Sequence, residues 1–149
     1  MSARHAEIAR SWLGTPYLHQ ASCRGAGADC LGLVRGVWRE VYGSEPVALP
    51  AYSPDWSEVR RQEELWTAAR RHLVERRDGG LRTGDVVLFR MKAGAVAKHL
   101  GIVGAPDPEP SLIHAYSGHG VVENALSAPW RRRIVAIFAF PEGDGPWQL

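Results

Sequence analysis

Apolar residues in the first third of the chain recur at helical spacing. Ile8, Ala9, Trp12 and Leu13 predict a short first helix, closed by Gly14-Thr15-Pro16. A polar loop runs from His19 to Asp29. Beyond it Cys30, Leu33, Val34, Val37 and Val41 fall on one face of a second helix. Asp29 suits an N-cap and Gly43 a C-cap, so this helix is predicted over Cys30 to Tyr42. Pro46, Pro50 and Pro54, with Tyr52 and Trp56 between them, predict an extended, rigid connection over residues 44 to 56. Val59, Leu65, Trp66, Ala69, Leu73 and Val74 then restore the helical period from Ser57 to Arg77, and Asp78-Gly79-Gly80 ends it.

After that the helical period gives way to alternation. A strand is predicted over Asp85 to Arg90, around the run Val86-Val87-Leu88-Phe89 and after the turn Thr83-Gly84. In His99 to Val103, His99, Gly101 and Val103 share one face and Leu100 and Ile102 the other. In Ser111 to Tyr116, Leu112, His114 and Tyr116 face one way. Ser117-Gly118-His119-Gly120 reads as a hairpin turn into a brief strand, Val121 to Glu123, and Ile134 to Phe140 closes the sheet. Helices first and strands second predict an α+β fold, with N-terminal helices packed on an antiparallel sheet of about five strands. No repeat, low-complexity tract or linker divides the chain. One domain over residues 1–149 is expected, with a helical insert at about 57–77.

Composition narrows the function classes. A chain of 149 residues with 45% hydrophobic and 23% charged positions can bury an ordinary core and is not disordered. The formal net charge is only +2. The basic excess is local, at Arg60, Arg61, Arg70, Arg71, Arg76, Arg77 and Arg131 to Arg133. A polyanion or an anionic cell-wall surface could use such a patch, but a solvated helix face explains it more simply, and no nucleic-acid partner is expected. Two cysteines exclude a disulfide-dense scaffold, and the geometry of a bridge argues against pairing Cys23 with Cys30. The N-terminus lacks the apolar core of a secretory signal, and no apolar run is long enough to span a membrane. Synthesis in the cytoplasm is therefore expected, with some other agent carrying the protein to any target outside.

Cys30 is the candidate nucleophile. In the first turn of a helix, unpaired backbone N–H groups and the helix dipole favour an anion, so a lowered thiol pKa is expected there. A buried structural thiol is the competing reading. A cysteine nucleophile needs a base, and the base needs an orienting group. His99 opens a strand, and Gly101 on the same face leaves space beside its ring. His114 lies within the next strand. If the two strands are neighbours, both imidazoles line one face, opposite the Cys30 helix. His5, His19, His72 and His119 have no comparable setting and are read as surface residues. A serine-elbow hydrolase lacks its Gly-x-Ser-x-Gly motif, a dinucleotide loop lacks its third glycine, and Cys23, Cys30, His114 and His119 match no common zinc spacing. Neither metal nor cofactor is expected.

Five motifs in order resemble the NlpC-type cell-wall cysteine peptidases. They are Gly14-x-Pro16-Tyr17, Gly27-x-Asp29-Cys30-x-Gly32-Leu33-Val34, Gly84-Asp85-Val86-Val87, His99-x-Gly101-Ile102-Val103 and Ile113-His114-Ala115. The resemblance covers about Ile8 to Phe140. It implies a compact papain-like fold and hydrolysis of peptide bonds in peptidoglycan stems, commonly the one joining D-glutamate to the diamino acid. It makes Cys30 the nucleophile, His99 the general base and His114 the group that orients His99. It places Tyr17 beside the nucleophile, with Asp29 in the substrate-binding and oxyanion region and the Cys30 N–H helping to hold the oxyanion.

The run Asp29-Cys30-Leu31-Gly32-Leu33-Val34-Arg35-Gly36 with Trp38-Arg39-Glu40, then Glu45-Pro46, Pro50-x-Tyr52 and Asp55-Trp56, is similar to the phage-type branch. That branch includes peptidases encoded with the tail proteins of phages and gene transfer agents. It implies tail hub or tip proteins as partners and delivery by a virion to the periplasmic wall. Leu31 replaces the serine usual after the nucleophile, which in relatives can help hold a substrate amine. Two rivals share the fold: a tail assembly component with little or no activity, and an amidase or acyl-transfer enzyme using the same residues.

Overall fold

The alternating stretches of the second half pair into one sheet, and the helical stretches cover it. The computed structural model describes residues 2–45 and 63–141. Its helices are α1 (Ser2–Arg10), α2 (Cys30–Tyr42), α3 (Glu64–His72) and α4 (Ala128–Arg131). Strands β1 (Ser22–Cys23) and β2 (Gly27–Ala28) form a small hairpin before α2. The main sheet contains β3 (Val74–Arg76), β4 (Val86–Phe89), β5 (His99–Val103), β6 (Ser111–Tyr116), β7 (Gly120–Ala125) and β8 (Ile134–Ala139). Its six strands run in the order β3-β8-β4-β5-β6-β7, and every neighbouring pair is antiparallel.

The sheet separates two apolar layers. On one face Leu33, Val37 and Val41 of α2 pack in the same cluster as Leu100, Ile102, Ile113, Ala115 and Phe138. On the other, Val87, Phe89, Val103 and Leu112 form a smaller cluster with Leu126, flanked by Trp130, Met91 and Ile134. The predicted alternation of β5 is therefore observed, with Leu100 and Ile102 facing α2. The face carrying His99 and His114 belongs to the second layer, so the two rings lie across the sheet from the body of α2.

Helix α2 begins and ends where expected. The Asp29 carboxylate accepts from the Gly32 N–H, and Gly43, at φ 95°, donates its N–H to the Arg39 carbonyl. The helix lies very close to the N-terminal segment. A Cβ at Gly36 would come within 2.1 Å of the Trp12 indole, so only glycine permits this approach. The first helix lies N-terminal to its apolar pattern: regular helix runs from Ser2 to Arg10, and Trp12 and Leu13 fall in the turns that continue to Gly14.

Four expectations need correction. The sheet has six strands, not about five. The helix predicted from Ser57 to Arg77 is observed over Glu64–His72, and Val74–Arg76 is a strand paired with β8. Its part before Glu63 and most of the proline-rich connection lie outside the described residues. The last strand does not close an edge but inserts between β3 and β4. The loop from His19 to Asp29 contains the β1–β2 hairpin. Several arginines of the basic patch are neutralised locally. Arg70 pairs with Glu75 at 2.8 Å, Arg77 approaches Glu75 at 3.6 Å, and Arg76 binds both Asp78 and Asp85.

Candidate active site

The loop before α2 is tied to the helix start through one carboxylate. Asp29 is buried, and its Oδ1 accepts the Gly32 N–H at 2.7 Å while Oδ2 accepts the Gln20 N–H at 2.8 Å. His19 Nδ1 stands 3.8 Å from the same Oδ2. Tyr17 bridges to Ala28 in parallel, which brings the phenol to the mouth of the helix. Burial pushes the Tyr17 hydroxyl pKa up, and the charges of Cys30 and Asp29 add to the effect. Tyr17, Asp29 and Cys30 therefore share one neighbourhood at the N-terminus of α2.

Cys30 is a free, half-buried thiol, as Cys23 is a free, exposed one. Its Sγ lies 3.8 Å from the Lys98 carbonyl, at the start of β5. Burial pushes the thiol up to about 12, although backbone donors at Leu100, Leu31 and Cys30 itself favour the thiolate. The Asp29 carboxylate adds to the rise. The lowered pKa expected from the helix start is thus reversed, because loss of solvent outweighs the donors the helix terminus supplies.

His99 and His114 meet. His99 Nε2 and His114 Nδ1 are 2.8 Å apart, a hydrogen bond between rings on adjacent strands. Gly101 makes this contact possible, since a Cβ there would come within 2.4 Å of Leu112 and 3.2 Å of the His114 Cβ. Trp130 covers the pair, edge-on to His114 at 5.0 Å and tilted over His99 at 5.6 Å. Phe89 lies 5.7 Å from His99, and Tyr116 stacks on His114 at 4.7 Å. In this aromatic box burial pushes His99 down to about 3, with His114 adding to the shift. Burial pushes His114 down to about 4, opposed by its hydrogen bond to Asn124. Both imidazoles are therefore neutral at neutral pH.

The structure joins the two histidines directly and sets the Cys30 sulfur against the backbone of Lys98 and Leu100, on either side of His99 in sequence. The sulfur's hydrogen bond is to the Lys98 carbonyl and not to the His99 ring.

Residues 14–138 match the NlpC/P60 family. The chain belongs to that family. Over 123 residues this NlpC/P60 chain is 32% identical to the murein DD-endopeptidase MepS/murein LD-carboxypeptidase of Escherichia coli, covering 82% of the chain and 54% of the relative. It thus spans about half the length of the curated relatives it matches. Among solved structures it resembles the NlpC/p60 domain of the peptidoglycan hydrolase SagA, with a TM-score of 0.63 at 18% identity, covering 94% of this chain and 99% of that one. An NlpC/P60 family protein from Bacillus cereus aligns with a TM-score of 0.62 at 18% identity, over 92% of this chain and 39% of that one. These likenesses establish the α+β NlpC/P60 fold.

Sequence reasoning about this NlpC/P60 site missed three contributors. Asn124 accepts from His114 at Nε2, and Trp130 and Phe89 wall the pair. The strand predicted over Val121 to Glu123 stopped one residue short of Asn124. Extending its alternation would have put Asn124 on the face of His114. Of the histidines read as surface residues, His119 is exposed as expected and His5 is not. His5 is buried and stacks on Phe140 at 4.6 Å, while His119 is exposed at the hairpin tip. Among the described residues no cluster of three His, Cys, Asp or Glu side chains could hold a metal ion. No helix there is long and apolar enough to cross a membrane.

Proposed function

We propose that this chain is a cysteine peptidase that cuts peptidoglycan stem peptides through an acyl-enzyme intermediate. Cys30 is the nucleophile, His99 the general base and His114 its orienting partner. The observation that carries the reading is the 2.8 Å His99–His114 bond, at the start of the strand whose backbone receives the Cys30 sulfur. Kinship with the murein hydrolase of E. coli supports the substrate class.

A thiol held near 12 and an imidazole held near 3 are both neutral at rest. Proton transfer therefore accompanies attack and does not precede it. The sulfur bonds to the scissile carbonyl carbon while its proton passes to His99, and the Cys30 N–H helps hold the oxyanion. Collapse of the intermediate breaks the C–N bond, with His99 returning the proton to the departing amine. Water, deprotonated by His99, then cleaves the thioester and restores the thiol.

Cleavage between D-glutamate and the diamino acid is the favoured cut, and delivery on a phage-like or gene transfer agent tail is the favoured route. The five-motif family resemblance supports the cut, and the pattern around Asp29–Gly36 supports the route. The name of the E. coli relative keeps a D,D bond as the competing cut. Wild-type protein should release peptides from purified sacculi, and Cys30→Ala should release none. Equal release by both would remove the peptidase reading, and product masses identify the bond. Mass spectrometry of purified particles tests delivery, which fails if the chain is absent from them.

A further inference from the structure

We propose that Asn124 is a positioning residue that sets the direction in which protons are carried along the histidine pair, leaving His99 Nδ1 free to act as the base. The proposal rests on the peptidase reading for its role in turnover, but the proton arrangement itself does not depend on it.

The three side chains form a line. His99 Nε2 contacts His114 Nδ1 at 2.8 Å, and His114 Nε2 contacts Asn124 Oδ1 at 3.1 Å. A neutral imidazole carries one N–H donor and one lone pair, so a line of two neutral rings has only two proton arrangements. In the first, His114 Nε2–H donates to Asn124, His99 Nε2–H donates to His114 Nδ1, and His99 keeps its lone pair at Nδ1. In the second, every donor reverses and His99 bears a proton at Nδ1, where it cannot accept one from a thiol. A carbonyl oxygen only accepts. With Oδ1 directed at His114, Asn124 selects the first arrangement, and the second would set lone pair against lone pair in a buried site.

The surroundings place Asn124 beside His114. His114 is fully buried, so water does not compete for its Nε2. Asn124 sits opposite Leu112 in the β6–β7 register, next to the pair His114 and Val122. Its neighbour Glu123 anchors the strand on the opposite face. There Arg10 binds it from Nε at 2.9 Å and Nη2 at 3.1 Å, and Ser111 donates to it at 2.7 Å. The amide thus stands on a strand pinned one residue away.

The test is the tautomer state of both rings in the full chain labelled with ¹⁵N-histidine, read by two-bond proton–nitrogen correlation at neutral pH. Nε2–H on both His99 and His114 is the expected result, and Nδ1–H at His99 overturns the proposal. In Asn124→Leu the Nε2–H form should lose its dominance, with kcat on sacculi falling roughly 10- to 100-fold at little change in KM. Asn124→Asp keeps an accepting oxygen and should restore both. Unchanged tautomers and kcat in Asn124→Leu would overturn the proposal, as would failure of Asn124→Asp to restore them. Should the variants fail to fold, the wild-type spectrum still decides. Because that spectrum needs no turnover, an inactive wild type would sink the peptidase reading without touching this one.

Discussion

At Cys30 two electrostatic effects act in opposite directions. The start of α2 supplies backbone donors that favour the thiolate, while enclosure by protein removes the solvent that would stabilise it. Enclosure wins: the thiol is pushed up to about 12, so Cys30 is protonated at pH 7. Below pH 7 a helix terminus and a nearby imidazole, which Cys23 lacks, predict from sequence that Cys30 is alkylated faster than Cys23. The structure predicts the reverse, because Cys23 is exposed and Cys30 is half-buried and neutral. Iodoacetamide labelling followed residue by residue by mass spectrometry separates the two. Earlier modification of Cys30 would mean that the helix terminus dominates after all. The same residue shows the limit of reading sequence. Asp29 beside Cys30 announces a helix start, but the burial that raises the thiol pKa comes from packing against a core assembled from residues distant in sequence and invisible to local pattern.

At the scale of elements, the contact between α2 and the turn that follows α1 depends on one missing methyl group. Replacing Gly36 by alanine should add about 1 kcal/mol of helix propensity. Against this, the new Cβ would sit 2.1 Å from the Trp12 ring, which is nearly fully buried and held by its indole N–H to Glu40 at 2.9 Å. Overpacking of this kind costs about 1–3 kcal/mol or more. Gly36→Ala should therefore be net destabilising, and an unchanged or raised urea midpoint would show that the indole yields. Asp29→Ala removes the acceptor for two backbone amides and should cost about 1–2 kcal/mol, measured in the same way. Elements with strong local signals were legible. These include α2 between Asp29 and Gly43, and β5 and β6 with their alternating faces. Strand β3 was not, because Val74 continues a helical spacing and becomes strand only through pairing with Ala139 of β8. Asn124 escaped for a related reason, since its role exists only once β7 lies beside β6.

Across the whole molecule, buried histidines and paired carboxylates make acid the vulnerable direction. His99 and His114 titrate near 3 and near 4 in the folded chain, but near 6.5 once unfolded. Between those limits the unfolded chain binds more protons, so falling pH draws the equilibrium towards it. Each ring erodes stability by up to about 1.4 kcal/mol per pH unit within that window, and above it the penalty vanishes. Glu123 acts in the same direction at lower pH. Its hydrogen bond from Arg10 lowers its pKa, so the stability it contributes is present above the normal carboxylate range and is lost as pH falls through the depressed value. Against a typical total of about 5–15 kcal/mol, the two rings alone are enough to move an unfolding midpoint. Urea midpoints should therefore fall steadily from pH 7.5 to pH 5, before most carboxylates titrate. His114→Gln removes one of the two titrating rings and should flatten that slope, whatever it does to the midpoint at pH 7.5. A wild-type midpoint constant from pH 7.5 to pH 5 would mean that the aromatic box around His99 and His114 admits water and that both rings take up protons while folded. The neutral thiol–imidazole starting point of the proposed mechanism would then have to be replaced by a charged one.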